Sequence, residues 1–259
     1  MFWNPFLWAG LLILIYVIFA WVVSIIKKDT SVVDIFWGAG FVVAAAVYFI
    51  LTDGYLPRKL LILILVAIWG LRLSIYIGIR NHGKPEDPRY TSMREKHGNS
   101  WPVRSLFTVF ILQGILMWII SIPLLTAQLP VTPPYLYWLD YLGIIFWVIG
   151  FYFEAVGDYQ LYRFKQDPRN SNKVLSNGLW GLTRHPNYFG EFAMWWGYGL
   201  IAITGGYYWV LLSPLIMSIL VMKFSGVGLL EKNLKEKKPG YREYIETTSV
   251  FFPWPKKSS

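Results

Sequence analysis

The sequence predicts an all-α integral membrane protein with seven transmembrane helices. Three observations carry this. Hydrophobic residues make up 55% of the 259, and aromatic residues 19%, whereas a soluble domain is roughly 45–50% apolar. Charged residues are only 15%. Several apolar runs reach the roughly 18–20 residues that cross a bilayer as a helix.

Taken in order, the runs predict spans at 4–26, 32–51, 59–80, 105–126, 136–160, 187–204 and 207–229. The first has no basic residues before it, and Lys27 and Lys28 follow it. It therefore reads as a reverse signal anchor and not a cleavable leader. Pro57, Pro102, Pro130, Pro133 and Pro134 fall at ends of spans, where a missing N–H does least harm. Gly205-Gly206 reads as a tight hairpin joining the last two spans. Pro214, near the start of the last, predicts a kink.

The basic residues orient these spans. Lys27 and Lys28 follow the first. Arg80, Lys84, Arg89, Arg94, Lys96 and Arg104 follow the third. Arg163, Lys165, Arg169, Lys173 and Arg184 follow the fifth. The tail adds Lys232, Lys235, Lys237, Lys238, Arg242, Lys256 and Lys257. The opposite side has only Arg58 and Lys59, while Arg72 and Lys223 fall inside spans. The asymmetry predicts an N-terminus outside and a C-terminus in the cytoplasm, as in a bacterial inner membrane or its equivalent. It also accounts for the net charge of +9 without nucleic acid. No cysteine is present, which excludes disulfides, thiolate metal sites and a cysteine nucleophile. His82, His97 and His185 have no metal-ligand spacing.

Polar residues inside spans are expensive and mark functional sites by default. In this topology they collect at the cytoplasmic end. Asp34 lies one turn into the second span, and Arg72 about two turns inside the third. Glu154 and Asp158 share one face at the end of the fifth. Lys223 and Glu231 lie near the end of the seventh, where snorkelling to the headgroups is the plainer reading. For Asp34 the plainer reading is a cap, or a pair with Lys27 or Lys28.

The densest polar run, Arg184-His185-Pro186-Asn187-Tyr188-Phe189-Gly190-Glu191, opens the sixth span. Arg184, Asn187 and Glu191 recur at helical spacing on one face. A helix N-terminus beside an arginine favours anions. The polar loops Asn81–Tyr90, Asp167–Asn170 and Ser176–Gly178 supply basic residues, hydroxyls and flexible backbone suited to a pyrophosphate. No strand-borne GxGxxG and no P-loop is present. A bound nucleotide would sit between helices, reached from the cytoplasm.

That octet, with Trp195-Trp196-Gly197-Tyr198-Gly199 after it, resembles the C-terminal domain of steroid 5-alpha-reductases and of related bacterial membrane proteins. Gly150…Glu154-Ala155-Val156-Gly157-Asp158-Tyr159…Lys165 is similar to the family's preceding helix. Asp158 matches there, while Asn is usual at the position of Glu154. The tail Glu231…Gly240-Tyr241-Arg242-Glu243-Tyr244…Phe252-Pro253 also fits. The resemblance covers roughly residues 68–255. It implies seven membrane helices, with residues 1–130 on the substrate side and 131–259 around the cofactor. It implies NADPH as cofactor and reduction of a carbon–carbon double bond conjugated to a ketone, in a small hydrophobic substrate entering from the lipid.

The resemblance places Glu154, Asp158, Arg184, His185, Asn187, Tyr188, Glu191, Glu231, Tyr241 and Tyr244 around the nucleotide. It offers Arg80, Lys84, Arg89, Lys165, Arg169 and Lys173 for its phosphates. Trp69-Gly70-Leu71-Arg72 aligns with a Tyr-x-x-Arg segment whose arginine contacts the cofactor. Asp34 stands where the steroid enzymes carry a catalytic glutamate. Trp69 replaces their catalytic tyrosine, and an indole N–H donates a hydrogen bond but no proton. Tyr76, one turn from Arg72, is the alternative hydroxyl.

Two other classes compete. Membrane isoprenylcysteine and phospholipid methyltransferases share an Arg-His-Pro-x-Tyr-x-Gly motif and bind S-adenosylmethionine. Asn187 and Asp158 favour the reductase. A transporter or lipid-binding protein would be supported by inverted repeats, and the sequence shows none.

Overall fold

A computed structural model describes residues 3–224 and 240–256. Among them every regular element is helical. Five helical stretches are long and apolar enough to cross a membrane: Trp3–Lys27, Val32–Leu51, Leu56–Asn81, Pro88–Thr126 and Trp138–Gln166. Two shorter helical stretches follow, Pro186–Ala202 and the apolar Tyr208–Met222. We label the α-helices α1 (Trp3–Lys27), α2 (Val32–Leu51), α3 (Leu56–Asn81), α4 (Pro88–His97), α5 (Trp101–Ser105), α6 (Leu112–Ile120), α7 (Ile122–Thr126), α8 (Trp138–Gln166), α9 (Pro186–Ala202), α10 (Leu212–Ile219) and α11 (Tyr241–Thr247).

The chain forms two compact units. Unit 1 holds residues 1–140 and 202–213; unit 2 holds 141–201 and 214–259. In unit 1, α2 and α3 meet at two glycines. A Cβ on either Gly38 or Gly70 would come within 2.4 Å of the other's carbonyl oxygen. Helices in lipid gain no hydrophobic drive from each other, so small residues that let backbones touch make the contact. The close approach seats Trp69, fully buried, 5.7 Å from the Phe41 ring. Gly40 makes room for Met117 of α6 in the same way. Tyr48 and Ser121 hydrogen-bond at 2.8 Å within this core.

Two details differ from expectation. The polar stretch after α3 contains a helix, α4. Asp87 caps it by accepting a hydrogen bond from Arg89 N at 2.9 Å, and Pro88 takes its first position, a strong start signal. Its face is too polar for the apolar-run criterion to find. Pro214 lies in the first turn of α10, after a 3₁₀ turn at Tyr208–Leu211. No N–H is needed there, and the helix departs from α geometry only at Leu220–Phe224, which is π-helical. The Gly205-Gly206 hairpin is present, with Gly206 left-handed at φ 83°.

The end of unit 1 that carries the α3 N-terminus holds a buried ion pair. Arg58 donates to Asp140 from Nε and Nη2, both at 2.9 Å, and from Nη2 to the Tyr135 carbonyl at 3.0 Å. Asp140 also accepts from Tyr137 N at 2.7 Å. Both side chains are fully buried. Lys59, also buried, donates to the Thr52 carbonyl. The two basic residues counted on this side therefore face inward.

Unit 2 is organised by a second set of glycines. A Cβ on Gly143 would meet Gly197 O at 2.6 Å. One on Gly150 would meet Gly190 O at 2.5 Å, and one on Gly157 would meet Pro186 at 3.1 Å. Gly143, Gly150 and Gly157 are seven residues apart and stay on one face of α8. Gly190 and Gly197 answer them from antiparallel α9. Beyond α9, residues 241–254 lie along 180–184. Arg184 N donates to Ser249 O at 2.9 Å, Thr183 Oγ1 to Phe251 O at 2.8 Å, and Trp254 N to Leu182 O at 2.9 Å.

Candidate functional site

The glycine contacts of unit 2 decide which polar residues meet. With Gly150 against Gly190 and Gly157 against Pro186, the polar end of α8 is set beside the first turns of α9. Glu154 packs under Gly190, where a Cβ would lie 2.5 Å from Glu154 N. One turn further, Asn187 Nδ2 donates to Asp158 Oδ1 at 3.3 Å. Asn187 Oδ1 accepts from Tyr188 N at 3.1 Å. These contacts use half of the carboxamide's donors and acceptors. Glu154 and Asp158 are buried, as are Arg184 and His185, while Asn187, Tyr188 and Glu191 are half-buried. His185 stacks on Tyr188, with centroids 5.4 Å apart and planes within 5°. Tyr244 donates to Trp180 O at 2.6 Å and lies 5.8 Å from the Tyr241 ring. That role closes the C-terminal segment onto the start of the motif. Glu231 lies outside the described residues.

Unit 1 holds the other predicted residues in two clusters. On α3, Arg72 and Arg80 both lie over the Tyr76 ring, at 5.2 Å and 5.6 Å from its centroid. At the start of α2, Asp34 accepts a hydrogen bond from Tyr90 Oη at 3.1 Å and from Arg89 Nη2 at 3.4 Å. Its partners are thus neither Lys27 nor Lys28, and neither Trp69 nor Tyr76. The buried Tyr90, which the sequence offers only as a hydroxyl of the Asn81–Tyr90 loop, is the hydroxyl that meets Asp34. The signal available was an aromatic residue beside a basic one just inside a helix start.

The loop carrying these groups is pinned. Glu86 accepts from Arg94 Nε at 2.9 Å, Arg94 Nη2 at 2.7 Å and Thr30 N at 2.6 Å. Ser31 Oγ accepts from Asp87 N at 2.7 Å, and Thr30 Oγ1 accepts from Trp101 Nε1 at 3.1 Å. Partial burial alone would raise the Glu86 carboxyl. The hydrogen bonds from Arg94 and Thr30 outweigh it and hold the group below the usual carboxylate range. Asp87 behaves alike, its burial outweighed by Arg89.

The proposed phosphate ligands are scattered. Lys84, Lys165 and Arg169 are exposed on loops or a helix end. Arg169 pairs with its neighbour Asp167 at 2.8 Å. A cleft of about 680 Å³ opens at the end of α8, lined by Tyr159, Arg163, Phe164, Gln166 and Asn177 among others. Asp167, Asn170, Asn177 and Gly178, from the two polar loops that the sequence offers for a pyrophosphate, also line it, whereas none of the residues named individually for the nucleotide does.

The chain is 28% identical over 280 aligned positions to an uncharacterized protein of Schizosaccharomyces pombe, covering 96% of this chain and 80% of that protein. A shorter stretch of 64 positions is 38% identical to a probable O-methyltransferase of Ustilaginoidea virens, covering 25% of this chain and 22% of that one. No solved structure matches. Residues 20–248 match the family described as "Protein of unknown function (DUF1295)", which is related to steroid 5-alpha-reductase-like membrane proteins. The match spans most of the sequence, and the chain belongs to that family.

Proposed function

We propose that this protein is a membrane-embedded, NADPH-dependent reductase acting on the conjugated C=C of a hydrophobic, steroid- or isoprenoid-like enone. In this reading it has seven spans, with the N-terminus outside and the cofactor region, 131–259, opening to the cytoplasm. The observation that supports it most is the Asn187–Asp158 pair, held at 3.3 Å by glycine-to-glycine packing of α8 on α9. A carboxamide with unused donors and acceptors beside a carboxylate suits the amide and ribose groups of a nicotinamide nucleotide. Arg184, His185, Tyr188 and Glu191 complete that set, with Arg72, Arg80, Lys84, Arg89 and Lys165 for its phosphates.

The bound nucleotide supplies a hydride for the β-carbon of the enone. The protein's task is then to neutralise the charge that develops on the ketone oxygen. The Tyr90–Asp34 pair is the assigned proton source. The Tyr90 hydroxyl would turn from Asp34 to donate its proton to the ketone oxygen, leaving a tyrosinate, and Asp34, taking a proton from the cytoplasmic side, would pass it back to Tyr90. Trp69, fully buried against Phe41, is assigned to packing, and Tyr76 to spacing Arg72 from Arg80.

A second reading, an S-adenosylmethionine-dependent methyltransferase, is favoured by the similarity of one stretch to a probable O-methyltransferase. The two are separated by binding. Purified protein is expected to be stabilised by NADPH and not by S-adenosylmethionine in a thermal-shift assay. Asn187→Ala and Asp158→Ala are each expected to weaken NADPH about tenfold or more. Stabilisation by the methyl donor alone would replace the first reading with the second.

A further inference from the structure

The cleft at the end of α8 is a separate site, and it faces away from Asp158. Arg163 is five residues after Asp158, which turns it roughly 140° around the helix. Among the described residues no hydrogen bond or ion pair engages Arg163, nor the Gln166 and Asn177 amides that share its cleft. The cleft's carboxylate is already neutralised, because Asp167 accepts from Arg169 N at 3.0 Å and from its guanidinium at 2.8 Å. The cleft therefore presents one uncommitted cation and two neutral amides, which is the donor set of a phosphate ester.

The face of α8 below the cleft says what carries that ester. Ile145, Ile149, Tyr152, Val156, Tyr159 and Arg163 follow each other at spacings of three and four, so they form one stripe. All are exposed except Val156, which is half-exposed. The stripe is apolar along its length, turns aromatic toward its end, and finishes at Arg163. α8 has 29 residues, hence a length of about 43 Å. A hydrocarbon core of about 30 Å leaves its ends among the headgroups. Arg163 stands at headgroup level with an acyl-length apolar track beneath it.

The geometry points to an anionic phospholipid bound to unit 2. Its phosphate sits on Arg163, its headgroup in the cleft with Gln166 and Asn177, and one acyl chain lies along the α8 stripe. This goes beyond the reductase reading and does not depend on it. The only other source of the same chemistry is a nucleotide phosphate, and the test separates the two.

Full-length protein in non-ionic detergent is titrated with dioleoylphosphatidylglycerol and, separately, with dioleoylphosphatidylcholine. Unfolding is followed by tryptophan fluorescence, and retained lipid is counted by native mass spectrometry. Phosphatidylglycerol should raise the Tm about 3 °C or more beyond phosphatidylcholine. Arg163→Gln should abolish that excess and retain one lipid fewer. Arg104→Gln, which removes an exposed arginine of unit 1 that does not line the cleft, should keep it. Equal stabilisation by the two lipids, or an excess that survives Arg163→Gln, overturns the site. Loss of the excess on adding pyrophosphate or NADPH assigns the cleft to a nucleotide and overturns it as well.

Discussion

At the scale of single residues, the informative partners are those that settle a role. Asp34 had two readings, a lysine partner or a functional carboxylate. Its hydrogen bonds with Tyr90 and Arg89 leave the lysines aside. Tyr90 sits at the third position of α4 and is buried, so its hydroxyl is directed and not free to rotate into solvent. In the proposed reaction Tyr90→Phe removes the proton donor and keeps the ring. Turnover should fall about 100-fold or more while NADPH affinity stays within about twofold. Steady-state kinetics with a binding titration checks this. Unchanged turnover would move the proton source elsewhere. The sequence marks Tyr90 only as an aromatic residue beside a basic one just inside a helix start, because its partner is 56 positions away.

At the scale of elements, Glu86 and Arg94 join the loop after α3 to the turn between α1 and α2. Arg94 Nη2 also reaches the Lys28 carbonyl at 3.2 Å. A carboxyl held below its unfolded value stabilises the fold at pH above that value. The contribution disappears as pH falls through the depressed folded value. The loop should therefore stay closed from neutral pH down to about pH 4.5 and loosen below it, the unfolded glutamate value being about 4.3. Hydrogen exchange of residues 82–95 from pH 7 to pH 3 measures this. In Glu86→Gln the exchange should be faster at pH 7 and lose most of its pH dependence.

The glycines act at the same scale. Their spacing of seven on α8 is visible in the sequence. Which α9 residues they meet depends on the antiparallel register, and that register brings Asn187 to Asp158.

At the scale of the molecule, the count of basic residues proposes the orientation, and the buried Arg58–Asp140 pair sharpens it. Burying two charges is tolerable only with near-ideal geometry and further hydrogen bonds, which Tyr135 and Tyr137 supply. The side opposite the basic loops thus turns both of its basic residues inward. The sequence has no cysteine, so single introduced ones report alone. Asn99→Cys should react with an impermeant maleimide only after the cytoplasmic face is opened, and Val131→Cys in intact cells. The reverse pattern would invert the proposed topology.

What the sequence determined by itself is the all-helical, membrane-spanning class and the position of five long apolar helices. These follow from local properties, the length of apolar runs and the prolines, glycines and charges at their ends. Helices also start near the beginnings of its sixth and seventh stretches, at Pro186 and Tyr208, but among the described residues both are shorter than a full crossing, and 225–229 lie outside those residues. It named the polar motif as well, because Arg184 to Glu191 stand out in an apolar chain. Only the tertiary structure decided which polar group faces which: Asn187 on Asp158, Tyr90 on Asp34, Arg94 on Glu86, Arg58 on Asp140. Three of these pairs join residues from 29 to 82 positions apart. The physical reason is that hydropathy says where a helix runs, whereas helix rotation and register decide partners. For Asn187 and Asp158, the glycine contacts of α8 on α9 make that decision.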